Sequence, residues 1–185
     1  MKKYHQGQII AKFTSKKGKE IELRIPKKSD AKEYLDFINS IIAEDDYILF
    51  EKQITDLKAE KKWVDENVKN MMEKKGLILT AFYKNEIIGN ADINIARDRE
   101  KHIGSFGITI KYGFREEGIG TKMMGILFNE TKKLGVKIVV LETFANNKRA
   151  IKCYEKIGFI KHGQLPGAIF WRNKYIDAIL MYKNL

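Results

Sequence analysis

The sequence predicts a single α/β domain: a mixed, mostly antiparallel central sheet flanked by helices on both faces. The chain has 185 residues, the length of one ordinary domain. Several strand-like stretches follow one another with short turns, and one strand–helix–strand unit comes after them. Only two prolines occur and no Ser/Gly-rich linker divides the chain, so residues 1–185 should form one domain.

The N-terminal part predicts a loose lead-in, one strand and two helices. Residues 1–19 are polar and rich in lysine and glycine, so we expect little structure there. Residues 20–26 alternate apolar and polar side chains, as a half-buried strand does. Asp30, with Ser29 before it, is a candidate N-cap for a helix that begins at Ala31. A second helix is predicted over residues 53–75, ended by Gly76.

Three strand-like stretches follow, at residues 77–83, 86–96 and 102–110. The Lys84-Asn85 pair between the first two is typical of a tight turn. The short connections predict an antiparallel meander.

The pattern then changes to a strand–helix–strand unit. A glycine-containing loop at 111–118 leads to an amphipathic helix that Gly135 ends. Residues 136–143 are almost continuously apolar, which is typical of a strand buried on both faces. The remaining predicted elements are a short helix capped by Asn146 and Asn147 and ending at Gly158, and two strands at 159–164 and 175–183.

The composition limits the kinds of partner that the protein is expected to bind. The formal net charge is +11, from 35 Lys+Arg and 24 Asp+Glu. Most of the positive charge is lysine spread along the chain, which favours a solvated surface over nucleic-acid binding, because base and phosphate readers rely heavily on arginine. No apolar run approaches the ~20 residues of a membrane helix, so we expect no membrane partner.

The cysteine and histidine content argues against disulfides and metal. Cys153 is the only cysteine, and the three histidines show no metal-ligand spacing. The N-terminus has no apolar stretch typical of a secretory leader. We therefore expect a cytoplasmic protein without a metal.

The segment 108–121 is the first candidate site. A predicted strand ends there, a glycine loop follows and a helix begins. Gly118 and Gly120 let the backbone approach a ligand closely, and the free N–H groups of the first helical turn suit a phosphate. The pattern matches neither a Walker loop nor a dinucleotide-binding fingerprint, and a simple tight turn would also produce it.

The segment 141–159 is the second candidate site. Glu142 ends the apolar strand, and the helix that follows carries Asn147 and Tyr154 two turns apart on one face. A helix cap and a core tyrosine are the alternative interpretation of these two residues.

Together the two segments resemble the acetyl-CoA-dependent N-acetyltransferases of the GNAT superfamily, and in particular its ribosomal-protein-alanine acetyltransferases. Arg115-x-x-Gly-x-Gly resembles the family's pyrophosphate motif, and Ala145–Phe159 resembles its next motif. The resemblance covers residues 106–160. It implies a GNAT-like sheet with a splayed pair of central strands, acetyl-CoA as cosubstrate, and an amine acceptor that is a protein N-terminus, a polyamine or a small molecule.

The resemblance also implies roles for single residues. Tyr154 would lie near the sulfur and donate a proton to the leaving thiolate, and Glu142 falls where the ribosomal-protein enzymes carry a catalytic carboxylate. Asn147 would contact the pantetheine. The remaining implied cofactor contacts are Ile108, Thr109 and Ile110 on the splayed strand, and the backbone of Arg115, Glu116, Glu117, Gly118, Ile119, Gly120 and Thr121 around the pyrophosphate.

Two features depart from a simple transfer of these roles. Glu116-Glu117 stands where relatives often carry Lys or Arg, so we expect weaker cofactor binding than a basic loop would give. Cys153 neighbours Tyr154 in the helix and is expected to point elsewhere, which favours direct attack of the amine over an acyl-enzyme.

The acceptor side should be built by residues 29–75 and by the C-terminal strands. The acidic trio Glu44-Asp45-Asp46 could attract a cationic amine, although it could also be a solvated loop. Candidate walls of the acceptor pocket are Phe50, Trp63, Phe170 and Trp171, although we expect at least two of these four to pack in the core instead.

Three functions stay open at this point: an N-acetyltransferase, a basic nucleic-acid-binding module, and an acyl-CoA sensor without turnover. The presence of both Glu142 and Tyr154 favours the enzyme. A homodimer is possible, and the sequence does not identify the acceptor.

Overall fold

The computed structural model describes residues 4–44, 47–49 and 56–185. The helices are α1 (Ala31–Ala43), α2 (Leu57–Met72), α3 (Ile119–Lys132) and α4 (Lys148–Lys156), with short 3₁₀ turns at Lys28–Asp30 and Asp98–Glu100. The strands are β1 (Ile9–Thr14), β2 (Glu20–Arg24), β3 (Gly76–Tyr83), β4 (Glu86–Ile95), β5 (Ile103–Ile110), β6 (Ile138–Phe144), β7 (Ile160–Trp171) and β8 (Lys174–Asn184).

All eight strands form one sheet in the order β1-β2-β3-β4-β5-β6-β8-β7. Every described pair is antiparallel except β5 with β6, which lie parallel in the middle. This confirms the predicted mixed α/β fold. The tight turn at Lys84 and Asn85 is also confirmed, because both residues have positive φ (48° and 68°), as a two-residue hairpin turn of type I′ requires.

Helices cover both faces of the sheet, as predicted. Tyr34 of α1 hydrogen-bonds Thr80 and Asn90, which are partners on β3 and β4, so α1 lies over that face. On the opposite face Met123 of α3 approaches Gly89. The main core fills the space between α3 and the sheet, and a second cluster of apolar side chains lies under α1 and α2. Fully burying one such Leu or Ile side chain contributes roughly 1.5–3 kcal/mol.

The N-terminal segment is structured, so the expectation of a loose lead-in over residues 1–19 is wrong for the part that the structure describes. Strand β1 pairs with β2, with Phe13 opposite Ile21. Tyr4 is buried, and its hydroxyl donates to Glu130 Oε2 at 2.8 Å. The lysines and glycines that suggested a loose segment lie mostly at the hairpin turn, while the apolar residues between them pack on the core.

Several boundaries differ from prediction. Helix α2 ends at Met72 and Lys74 takes the left-handed conformation (φ 59°), so Gly76 is not its terminator. Gly76 opens β3 instead, where a Cβ would lie 2.7 Å from the Ile93 carbonyl oxygen. Residues 53–55 of the predicted helix lie outside the described residues.

Strand β6 is buried mainly on one face, which corrects the prediction of burial on both. Val139 and Leu141 are buried, whereas Glu142 between Leu141 and Thr143 is exposed. The α1 side of the sheet opens at this point, so the run of apolar residues covers the core on one side and borders a cavity on the other.

Asp30 precedes α1, as predicted, but its carboxylate does not cap that helix. It accepts a bidentate pair from Arg24, at 2.7 and 3.0 Å, and a hydrogen bond from the Lys27 N–H at 2.7 Å. Within the described residues, no helix combines the length and apolarity that crossing a bilayer requires.

Candidate active site

The two parallel strands at the centre of the sheet separate after only three paired positions. Ile103, Gly104 and Ser105 of β5 pair with residues 138–140 of β6. Beyond that point β5 stays paired with β4 as far as Ile110, and β6 stays paired with β8 as far as Phe144. The two strands therefore splay apart, which the family resemblance implied, and the facing edge of β5 is left without a strand partner in the described sheet.

A cavity of about 720 Å³ occupies this gap. It extends from the start of α3 through the splay to the α1 side of the sheet. Eleven of the thirteen predicted site residues border it: Ile108, Thr109, Ile110, Arg115, Glu116, Gly118, Gly120, Thr121, Glu142, Asn147 and Tyr154. The structure thus brings the two sequence segments together around one space.

The glycine loop forms one end of the cavity. Gly118 is the N-cap of α3 and has φ 80°, a left-handed conformation that favours glycine. The helix begins directly after it, with the Lys122 N–H donating to the Gly118 carbonyl at 3.1 Å. The first-turn N–H groups that have no intrahelical acceptor lie at this end, where the helix dipole also favours an anion.

Glu117 and Ile119 are the two predicted residues that do not border the cavity, since both are buried on the other side of the loop. The Glu117 carboxylate accepts a hydrogen bond from Ser15 Oγ at 2.8 Å and pairs with the Lys19 ammonium. Lys17 lies 3.7 Å from it. The hydrogen bond from Lys19 holds the pKa of Glu117 below its usual range.

The β1–β2 hairpin therefore offsets one of the two loop acids that raised doubt about cofactor binding. Lys19 also donates to the Gly113 carbonyl at 3.1 Å, and the Lys16 N–H donates to the Glu117 carbonyl at 2.9 Å. Glu116 differs, because its side chain is largely exposed and its carboxylate lies 3.9 Å from the Arg149 guanidinium.

Arg115 connects the glycine loop to the end of β5 and to Glu44. Its Nε donates to the Ile110 carbonyl at 2.7 Å, and its guanidinium pairs with Glu44. Glu44 also accepts from the Tyr112 N–H at 2.9 Å. This member of the predicted acidic trio thus serves the loop, while Asp45 and Asp46 lie outside the described residues.

Asn147 both caps α4 and faces the cavity. Its Oδ1 accepts from the Ala150 N–H at 3.1 Å, which satisfies one free donor of the helix. The side-chain Nδ2 donor is not needed for this cap, so the amide could also serve a ligand. The two interpretations of Asn147 are therefore compatible.

Tyr154 lies midway along the cavity, with its ring beside Phe106 and Phe159. Burial, with a smaller contribution from Cys153, raises the pKa of the Tyr154 phenol to about 12. The phenol therefore keeps its proton near neutrality and can donate it. Cys153 borders the same cavity, with its Sγ 3.9 Å from Thr121 Oγ1, so the expectation that it points elsewhere is wrong.

Glu142 lies on β6 at the opposite wall from the glycine loop. Its side chain is exposed, and it sits opposite Leu180 of β8. The other walls at this end are mainly apolar. They comprise Ile41, Tyr47, Ile48, Leu49, Thr143, Phe144 and Ile169.

The predicted aromatic walls lie elsewhere. Trp63 packs on Tyr34, with ring centroids 5.3 Å apart, and Trp171 stacks on Tyr47, a residue that itself borders the cavity. Phe170 packs on Tyr175, and Phe50 lies outside the described residues. Arg149 and Gly107 also border the cavity, and the sequence motifs did not point to either of them. Arg149 lies two residues after Asn147 and could have been included with it, whereas nothing local distinguishes Gly107.

Among the described residues, no cluster of three or more His, Cys, Asp or Glu side chains could hold a metal ion.

Comparison with known proteins agrees with this geometry. The solved acetyltransferase of GNAT family from Streptococcus pneumoniae superposes with a TM-score of 0.81 at 24% identity, covering 89% of this chain and 99% of that one. RimL, a ribosomal-protein α-N-acetyltransferase solved in complex with coenzyme A, gives a TM-score of 0.81 at 17% identity, covering 96% and 98%. At these identities the likeness shows the fold alone.

A curated relative is the L-amino acid N-acetyltransferase AaaT of Escherichia coli K12, 28% identical over 105 residues. The match covers 56% of this chain, and the chain spans about 65% of the length of that relative. The family model described as Acetyltransferase (GNAT) family matches residues 36–159, about two thirds of the sequence. The chain therefore belongs to the GNAT acetyltransferase family.

Proposed function

We propose that the protein transfers the acetyl group of acetyl-CoA to a primary amine by direct attack. The observation that carries this is the cavity between the splayed strands, which is bordered by the first turn of α3, by the Tyr154 phenol and by the Glu142 carboxylate. Acetyl-CoA would supply a thioester carbon open to attack. The first turn of α3 would bind the cofactor, the phenol would protonate the leaving thiolate, and the carboxylate would accept a proton from the amine.

The glycine loop would hold the pyrophosphate with the backbone of residues 115–121. Its fit to an anion is supported by the left-handed Gly118 and by the pairing of Glu117 with Lys19, which turns that acid away from the cavity. The unpaired edge of β5 at Ile108, Thr109 and Ile110 would hydrogen-bond the pantetheine amides as a neighbouring strand would, and Asn147 would contact the pantetheine as well.

Tyr154 would protonate the leaving thiolate, because its phenol is protonated near neutrality and borders the cavity. Glu142 would accept a proton from the attacking nitrogen. Its side chain is exposed in the described structure, so the desolvation that a stronger base needs would have to come from the bound acceptor.

The acceptor is proposed to be an α-amine, on a peptide N-terminus or on a small molecule such as an amino acid. An α-amine with a pKa of ~8 costs about 1 kcal/mol to deprotonate at pH 7, whereas a lysine-like amine at ~10.4 costs about 4–5 kcal/mol. Relatives named for amino acids and for a ribosomal protein support the same class. A polyamine is the less favoured acceptor.

We propose a cytoplasmic location for the protein. Cys153, the one cysteine of the chain, has a free thiol that borders the cavity, and a reducing compartment would keep it free. A homodimer stays a prediction, which light scattering on the purified protein tests.

A thiol-release assay tests the function. Acetyl-CoA is offered with L-amino acids, with peptides that begin with Ala, Ser or Met, and with spermidine. We expect thiol release with at least one α-amine and a loss of release in Tyr154→Phe.

Calorimetry with acetyl-CoA separates the alternatives: binding without any thiol release would support the acyl-CoA sensor, and no binding at millimolar levels would refute the cofactor site. Cys153→Ala should keep its turnover if attack is direct.

A further inference from the structure

The wall of the cavity that carries Glu142 is built mainly from apolar side chains. Glu142 and Phe144 are two residues apart on β6, so their side chains share one face of the sheet at a spacing of about 7 Å along the strand. Phe144 packs in one cluster with Ile169 of β7 and with Tyr47. All of these side chains border the cavity, so a molecule bound at Glu142 has an apolar surface beside it.

The aromatic part of this surface is held in place by its own contacts. The Tyr47 ring stacks on Trp171 with centroids 5.2 Å apart, and it meets Phe144 edge-on at 5.5 Å. The Tyr47 hydroxyl donates to the Asn146 carbonyl at 3.4 Å. Because the ring is already ordered, an apolar ligand that packs on it pays little for fixing the wall.

Leu49 leaves apolar surface open to water at the same cavity. It borders the cavity and is nevertheless 69% exposed. Ile41 of α1 and Ile48 border the cavity too. An apolar group bound there would remove part of the Leu49 side chain from water, and the burial of apolar surface favours binding.

The charges around the cavity are divided unevenly. Four of the described residues that border it carry a formal charge: Arg115, Glu116, Glu142 and Arg149. Arg115 pairs with Glu44, and Arg149 lies 3.9 Å from Glu116 of the glycine loop. Both arginines thus lie beside acids on the loop side, and Glu142 is the charged residue that borders the cavity from β6.

Asp92 of β4 does not add a second charge to this wall. It is not among the described residues that border the cavity. Its carboxylate accepts hydrogen bonds from the Asn94 amide at 3.0 Å and from the Asn90 amide at 3.5 Å. Glu142 is therefore the carboxylate that a cationic amine meets in the described part of this wall.

We propose that the acceptor is the N-terminal residue of a peptide and that this residue has an apolar side chain of about the size of leucine. The inference rests on the proposed function and deepens it, because it names the class of amine. The ammonium group pairs with Glu142 before it is deprotonated. The apolar side chain lies against the surface that Phe144 and Leu49 help to form.

The charge of the wall distinguishes a peptide from a free amino acid. A free amino acid carries a carboxylate on the carbon next to its nitrogen, so this group would come close to Glu142 whenever the nitrogen does. Like charges repel, and no lysine, arginine or histidine among the described residues borders the cavity from β6 or β7 to offset the repulsion. In a peptide the same position is a neutral amide.

Calorimetry with small probes in the presence of coenzyme A tests the proposal at about pH 6, where α-amino groups are protonated. L-leucinamide should bind about 100-fold more tightly than glycinamide, because its side chain leaves water for an apolar surface. L-leucine should bind about tenfold more weakly than L-leucinamide. Equal affinities for leucinamide and glycinamide, or for leucine and leucinamide, would overturn the proposal.

A matched pair of leucines tests where the side chain binds. Leu49→Gln makes the cavity wall polar, whereas Leu165→Gln changes a leucine that is 54% exposed on β7 and does not border the cavity. We expect Leu49→Gln to weaken leucinamide binding about tenfold with glycinamide unaffected, and Leu165→Gln to behave as wild type.

Phe144→Leu offers an independent measurement from the buried side of the same wall. The smaller side chain leaves room, so the preference should shift from L-leucinamide towards L-phenylalaninamide. A wild-type ratio of leucinamide to glycinamide affinity in Leu49→Gln, whose exposed position makes unfolding no explanation, would overturn the placement.

Binding and turnover separate this inference from the proposed function. Tighter binding of leucinamide than of glycinamide, without thiol release from acetyl-CoA, supports the acceptor class and refutes only the enzyme. Thiol release with equal kcat/KM for glycinamide and leucinamide supports the enzyme and overturns the apolar acceptor. The tripeptide Leu-Ala-Ala should bind at least as tightly as leucinamide, and failure of both to bind wild type overturns the inference.

Discussion

Replacing Asp92, which lies in the middle of β4, by asparagine should stabilise the folded protein at alkaline pH. Burial raises the pKa of Asp92 from its ordinary 3.8 to about 6. Because the folded pKa lies above the unfolded one, this carboxyl contributes its full stability only below the unfolded pKa. That stability is lost as the pH rises through about 6.

The magnitude follows from the two pKa values. Ionisation of Asp92 costs the folded wild type up to about 3 kcal/mol at pH 8 and about 0.5 kcal/mol at pH 4. Asparagine does not titrate. The free energy of unfolding of Asp92→Asn, relative to wild type, should therefore rise by up to about 2.5 kcal/mol between pH 4 and pH 8.

Urea denaturation at pH 4, 6 and 8 measures this difference for wild type, Asp92→Asn and the exposed control Asp98→Asn. The pH-dependent part is the readout, because any change in hydrogen bonding to Asn90 and Asn94 affects all three pH values alike. A difference between variant and wild type that stays constant from pH 4 to pH 8 would show that Asp92 is not desolvated, and the reasoning would fail.

Three further predictions concern the cofactor side. Tyr154→Phe should lower kcat by about 10²-fold or more with an unchanged Kd for acetyl-CoA, measured by steady-state kinetics and calorimetry; unchanged kcat would exclude the phenol as the acid. Glu117→Gln should weaken acetyl-CoA binding and lower the Tm at pH 7, because it breaks the pair with Lys19. That Tm loss should shrink as the pH falls through the lowered pKa of Glu117, and a Tm difference independent of pH would contradict the pairing. Gly118→Ala should cost about 1–3 kcal/mol in urea denaturation, because φ is 80° there; Gly125→Ala, with open space around it inside α3, is the control and should cost nothing.

Local patterns were enough to predict most elements and one half of the site. The hairpin turn at Lys84-Asn85 and the loop before α3 are set by residues adjacent in the chain, whose φ values depend on their own side chains. Tyr154 and Asn147 share a helix face because of helical spacing alone. For the same reason the glycine loop before α3 and the capped helix α4 could be placed from sequence, and residues of both border the same cavity.

The rest of the candidate site depends on contacts between segments that are distant in the sequence. That Glu117 faces away from the cavity follows from the β1–β2 hairpin, whose Ser15 and Lys19 lie about a hundred residues earlier. That hairpin was itself missed, because its lysines and glycines dominate the local composition.

The sequence by itself determined the order of elements, the family and the candidate cofactor loop, because these are written in short runs of residues. Only the tertiary structure decided which carboxylates border the cavity. Glu142 borders the cavity with an exposed side chain because the two parallel strands separate before it, whereas Asp92, opposite Gly107 in the β4–β5 register, does not border it. The separation of β5 and β6 depends on their pairing with other strands, β4 and β8, and the pattern within either strand does not reveal it.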